Sequence, residues 1–203
     1  MNVWQAIRGR RSIRRFKQKA ISKEVLLEVV EAGRCAPSAA NRQPLEFITI
    51  NSEEQRSKIF AQLAWAGYVR PRRDPPAGKW PVAYIIVLVN RERALAKFGS
   101  VDAAAAIENI LLAAQGNRIG SCWLGSIKRE KVREILEIPD NFDIDSVVAL
   151  GYPDEQPIME DCKGDSIEYY LDDKDTLHVP KRPLPSITHM NKFGSLVDLS
   201  KLP

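Results

Sequence analysis

The sequence predicts a layered domain of the α+β or α/β class, with helices packed on one sheet. Three observations carry that expectation. Val82 to Val89 is a nearly continuous apolar run, the pattern of a central strand covered on both faces. Asp102 to Ala114 is alanine, isoleucine and leucine broken only by Glu108 and Asn109, a helix with too little polar surface to face water. Helical and strand periodicities alternate along the chain up to Pro153. The 203 residues, 44% hydrophobic and 28% charged, suit one domain with a sizeable core.

In order, Met1 to Arg8 reads as a short helix. Ser22 is placed to cap a second one, with Glu24 in the first turn and Val25, Leu26, Val29, Val30 and Gly33 at helical spacing. That helix ends ahead of Ala36-Pro37-Ser38, because proline disfavours helix in the residue before it. Ala39 to Pro44 is a small polar loop, and Glu46 to Ile50 alternates as a strand. A third helix is expected from Glu53 to about Ala66 on Ile59, Phe60, Leu63 and Ala64. Gly67 to Pro81 loses all periodicity and reads as a long loop carrying Arg70, Arg72 and Arg73. The central strand follows, and then the alanine-rich helix, capped by Ser100 with Asp102 in its first turn. Gly120 to Gly125 reads as a strand, Lys128 to Leu136 as a helix and Ser146 to Gly151 as a strand stopped at Pro153. From Asp165 the pattern is weak, so residues 165–203 are expected to form a C-terminal arm on one domain spanning 1–203.

Composition removes several function classes. The net charge of +4 is mildly basic and locally concentrated, and no helix-turn-helix signature, zinc spacing or RNA-binding aromatic pair accompanies it. Cys35, Cys122 and Cys162 are odd in number and far apart, and His178 and His189 are the only histidines. A disulfide framework, a zinc site or a histidine metal cluster is therefore not expected, and a reducing cytoplasm is. No opening apolar run reads as a signal peptide, and no stretch is long enough to span a bilayer. Cys35, Cys122 and Trp123 are expected in the core, and the histidines on the surface or tail.

The segment with most chemistry is Arg8 to Lys19. It holds seven basic residues (Arg8, Arg10, Arg11, Arg14, Arg15, Lys17, Lys19) and no acidic one. Such a cluster repels itself unless an anion binds or each charge reaches water. Guanidinium groups with a neighbouring hydroxyl, here Ser12, suit phosphate oxygens. A phosphate site and a basic solvated face both remain open on this chemistry, and a nucleic-acid-binding module without cofactor is the rival from another class.

Six motifs in order narrow the choice: Arg10-Arg11-Ser12-Ile13-Arg14, Ala36 to Pro44, the alanine-rich helix, Ile119 to Gly125, Ala149-Leu150-Gly151-Tyr152-Pro153, and Lys181-Arg182-Pro183-Leu184. With these the chain resembles the FMN-dependent nitroreductase family over almost its whole length. The resemblance implies an α+β, three-layer α-β-α sandwich with a central, mostly antiparallel sheet, assembled as an intertwined homodimer with FMN in the interface. It implies that Arg10 and Ser12, with Arg11 alongside, hold the FMN phosphate and that Lys181 and Arg182 close on it. Arg14 is expected at the pyrimidine edge, where positive charge eases hydride acceptance. Pro37, Ser38 and Asn41 are expected to come from the other subunit, and Leu124 and Gly125 to offer backbone groups. NADH or NADPH would reduce the flavin, and a nitroaromatic, quinone or similar small acceptor would reoxidise it, with no catalytic side chain, metal, nucleic acid or membrane involved. Specialisation for dehalogenation or dehydrogenation is the alternative within the family. Leu45 stands where the family often has tryptophan, and the Arg70–Pro81 loop offers no assigned pyrimidine contact. Its arginines are either solvated or selective for the extra phosphate of NADPH.

Overall fold

A computed structural model describes residues 1–69, 74–164 and 166–197. It divides into two compact units, one of Met1–Ala66 with Arg72–Glu155 and one of Gly67–Pro71 with Gln156–Pro203. Arg70, Arg72 and Arg73, and the Asp165 boundary of the expected arm, lie outside the described residues.

In the first unit the chain runs α1 (Val3–Gly9), β1 (Phe16–Lys17), α2 (Lys23–Arg34), β2 (Leu45–Ile50), α3 (Glu53–Phe60), β3 (Ala83–Asn90), α4 (Gly99–Gly116), β4 (Gly120–Leu124), α5 (Arg129–Leu136) and β5 (Phe142–Pro153). The five strands form one sheet in which every pairing is antiparallel: β5 pairs with β1, β3 and β4, and β3 pairs with β2. β3 is buried along its whole length, as an apolar strand with neighbours on both sides must be. Ala83, Ile85, Val87 and Val89 point to one face and pack with Leu26 and Val29 of α2 and Ile107, Ile110 and Leu111 of α4. α2 and α4 approach closely at Gly33, where an added Cβ would sit 2.8 Å from Ile110 Cδ1. Tyr84, Ile86 and Leu88 alternate to the opposite face. The result is the expected α+β arrangement with an antiparallel sheet.

Local signals account for most boundaries. Asn2 opens α1 with a capping box, and the Ser22 hydroxyl accepts the Val25 N–H to start α2. Two expectations fail. Ser100 does not cap α4: the cap position falls two residues earlier, at Phe98, with Gly99 the first helical residue just after the left-handed Lys97 at φ 73°. α3 stops at Phe60 rather than near Ala66, because the next residues leave it to bond elsewhere. Leu63 bridges Ile127, and the Ala64 N–H donates to Ser126 O at 3.0 Å.

The second unit holds structure that the weak sequence pattern does not announce. β6 (Ile158–Asp161), β7 (Tyr170–Leu171) and β8 (Leu177–Lys181) form a three-stranded sheet with β8 in the middle. His178 stacks on Tyr170 at 4.8 Å, with Nδ1 3.0 Å from Glu160 Oε2 and Nε2 3.3 Å from Asp172 Oδ2. It is an anchored, half-buried residue rather than a free tail histidine.

Candidate functional site

The basic segment is built into the sheet's edge. The Ile13 N–H donates to Ser121 O at 2.9 Å, so Ser12 and Ser121 form a parallel bridge beside β4. Two glycines permit this approach. A Cβ on Gly120 would lie 2.8 Å from Ile13 Cγ1, and one on Gly151 would lie 2.7 Å from Phe16 Cδ1. Ile13 and Phe16 are buried, which draws the intervening arginines in with them.

Those arginines divide the work. Arg11 is buried and its guanidinium donates to the carbonyls of Arg10 and Arg8, the latter at 2.7 Å, at the end of α1. Burial and the Arg10 charge lower its pKa. Arg11 thus holds the helix end rather than facing outward. Arg10 keeps a part-exposed side chain with Glu108 Oε1 3.7 Å from its Nε. The backbone N–H groups of Arg14 and Arg15 both donate to the Glu155 carboxylate, the second at 3.2 Å. Glu155 therefore orients the loop through its main chain. The acid was unmarked in sequence, although it closely follows the Gly151-Tyr152-Pro153 strand end.

Ser121 adds a buried hydroxyl whose oxygen has no hydrogen-bond partner among the described residues. On the opposite face of β4, burial pushes the Cys122 thiol up, against the pull of the Arg14 and Arg10 charges. Trp123 is not the core residue expected: it is 40% exposed, and its Nε1–H donates to Ser146 Oγ at 2.7 Å. Beyond Leu124, Gly125 is exposed with open space around it, since an added Cβ would meet nothing within 4 Å. The chain's own packing gives no reason for glycine there.

Pro37, Ser38 and Asn41 sit on the loop after α2. Pro37 and Ser38 line a cavity of about 200 Å³ with Phe47 and Arg93. The loop is strained: Ala40, Asn41 and Gln43 all have left-handed backbones, at φ 49°, 52° and 47°. Two contacts over-determine it. Ser38 Oγ accepts the Gln43 N–H, and buried Asp102 accepts the Ala39 N–H, each at 2.9 Å. Cys35, expected buried, is exposed beside Glu31 and Arg34. In the second unit Lys181 and Arg182 are exposed at the end of β8, with the Arg182 guanidinium donating to Ser186 O at 3.3 Å.

The donor set suits FMN. Part-exposed guanidinium and hydroxyl groups, at Arg10 and Ser12, match a phosphate, an unpaired buried hydroxyl matches a polyol chain, and bare backbone at Gly125 leaves room for a flat ring. Among the described residues no cluster of histidine, cysteine and carboxylate could hold a metal ion, and no helix is long and apolar enough to cross a membrane.

Comparison with known proteins agrees. A provisionally named NADH dehydrogenase/NAD(P)H nitroreductase of Archaeoglobus fulgidus is 37% identical over 164 residues, covering 74% of this chain and 86% of the relative. A protein of the same name from Methanothermobacter thermautotrophicus is 30% identical over 185 residues, covering 89% and 88%. The crystal structure of a provisionally named nitroreductase from Desulfovibrio desulfuricans in complex with FMN superimposes with a TM-score of 0.68 at 28% identity, covering 95% of this chain and 98% of that one. Residues 7–152, which carry the basic segment, the strained loop and β4, match the model of the nitroreductase family. This chain belongs to the nitroreductase family.

Proposed function

We propose that the protein is an FMN-dependent oxidoreductase that takes reducing equivalents from NADH or NADPH and passes them to a small acceptor such as a nitroaromatic or a quinone. The observation that carries this reading is the bridge between Ser12 and Ser121, which sets the arginine-rich segment beside β4 and the unpaired Ser121 hydroxyl, in a chain of this family. Arg10 and Ser12 bind the phosphate, and Lys181 and Arg182 add charge to it. Ser121 serves the ribityl hydroxyls. Arg14 holds positive charge at the pyrimidine edge, where it favours the reduced anion. Leu124 and Gly125 present main-chain groups to the ring. FMN held there would supply the two-electron redox chemistry that links the nicotinamide donor to the acceptor. The residues named bind, orient and tune, and no side chain is required as acid or base.

The working unit is a homodimer, in which Pro37, Ser38 and Asn41 serve the partner's flavin. Val3 and Trp4 support this, lying 70% and 68% exposed on α1, an apolar surface that a second copy would cover. The three free cysteines fit action in the cytoplasm.

Anaerobic titration of the purified protein with NADH and with NADPH tests the reading. A yellow protein whose flavin absorbance bleaches with either nucleotide, and an Arg10→Gln variant with about tenfold weaker FMN binding, support it. A protein that takes up no FMN, or whose flavin neither nucleotide reduces, refutes it.

A further inference from the structure

On the Tyr84 face of the sheet, α3 and the loop leading into β3 enclose a cavity of about 220 Å³ that shares no residue with the proposed flavin site. Its lining includes Gln18, Glu53, Arg56, Trp80, Pro81 and Tyr84.

Two of these groups are unsatisfied. Tyr84 is 0% exposed and its hydroxyl has no hydrogen-bond partner among the described residues. Leaving such a group buried and unpaired is destabilising, and a ligand that accepts its hydrogen bond relieves that. Arg56 Nε is likewise buried without a partner among the described residues, where the guanidinium's one hydrogen bond goes to Pro81 O at 3.2 Å. Arg56 forms no ion pair among the described residues, although Glu53 lines the same cavity. Tyr84 and Arg56 line the same cavity.

The remaining walls are already committed. Gln18 Nε2 donates to Phe16 O and Trp80 O at 3.1 and 2.9 Å. Trp80 is fixed by its Nε1–H to Pro75 O and by stacking on Phe60 at 4.2 Å. A rigid aromatic wall with proline next to it therefore faces two donors that want one acceptor group.

We propose that this cavity binds a small planar monocarboxylic acid, its carboxylate bridging the Tyr84 hydroxyl and the Arg56 guanidinium and its ring lying against Trp80 and Pro81. A carboxylate accepts two donors at once in the geometry these groups offer. Glu53 at the cavity disfavours dianions, so a phosphate ester is a poorer fit than a monocarboxylate. The ligand reaches the sealed donors by displacing the Arg56 side chain, which a single bond to a loop carbonyl restrains.

The test is titration of the flavin-loaded protein with 4-fluorobenzoate, followed by fluorine NMR, in the native chain and in Tyr84→Phe and Arg56→Gln. Tyr84→Phe keeps the buried ring and removes only an unpaired hydroxyl, so this variant folds and melts at or above the native temperature. The expected result is binding in the native protein that weakens about tenfold in Arg56→Gln and at least about threefold in Tyr84→Phe, with unchanged flavin content. Absence of binding up to about 10 mM overturns the proposal. So does binding that neither substitution alters, which would put the acid at another site, the flavin face included.

Discussion

The carboxylate of Asp102, in the first turn of α4, accepts the backbone N–H of Ala39 at 2.9 Å and so holds the loop that follows α2. The acid is only 3% exposed, and its second oxygen has no hydrogen-bond partner among the described residues. The bond is directed at a stretch where Ala40, Asn41 and Gln43 are left-handed, a conformation that relaxes once the anchor is lost. Asp102→Ala is expected to cost about 1–3 kcal/mol in urea unfolding and to weaken FMN binding about tenfold. Asp102→Asn, whose side-chain oxygen still accepts the N–H, should lose much less of both. Equal flavin affinity in the two variants would detach the loop from the site.

Glu155 accepts from the main chain of Arg14 and Arg15, a charge-assisted pair of contacts that orients the basic loop. Glu155→Ala should lower stability by about 1.5–3 kcal/mol and release the Arg14 backbone. Glu155→Gln keeps an acceptor oxygen and should fall between native and Ala. Thermal unfolding of the three proteins in apo form checks the order.

The approach of β1 to β5 leaves no room for a methyl group at Gly151, where a Cβ would lie 2.7 Å from the fully buried Phe16 ring. Gly151→Ala is expected to destabilise by about 1–3 kcal/mol through overpacking. Adding Phe16→Leu should restore part of the loss, because the smaller side chain vacates the contact. A double-mutant cycle measures that coupling.

His178 gives the second unit a pH dependence. Hydrogen bonding to Glu160 first, and then to Asp172, raises its pKa above the ordinary 6.5, against desolvation. A histidine with a raised folded-state pKa contributes stability that is complete below the unfolded value and is lost as pH rises through the folded one. Proteolysis of the second unit should therefore accelerate as pH climbs from about 6.5 into the alkaline range. His178→Gln should be cleaved at a rate that is flat over the same window. Glu160 and Asp172, both with lowered pKa values, add the mirror-image loss at acid pH.

Much of this was written in the residues. The apolar run of β3, the alanine-rich α4 and the cap at Ser22 depend on neighbours a few positions away, so periodicity and capping chemistry reveal them. Six ordered motifs sufficed for the family. What stayed hidden depends on distant partners. Arg10 and Arg11 are adjacent and chemically identical, and only the fold turns one toward helix carbonyls and leaves the other part-exposed. Asp102 looked like a helix-dipole acid because its bond to Ala39 spans 63 positions. The three strands of the second unit are short, from two to five residues, and too brief to show a period.

β5 is the common partner of β1, β3 and β4, and it is the last strand of its sheet to be made. Phe16 and Lys17 have no ladder to join until Pro153 and Tyr152 emerge. At a synthesis rate of about 5–20 residues per second, that delay is on the order of ten seconds. Through it the arginine-rich stretch lacks its β5 partner, and Glu155, which will pin it, is still untranslated. Assembly of the cofactor pocket is thus a late event in the life of each nascent chain, and a truncation before Phe142 should yield an aggregating fragment rather than a weaker enzyme.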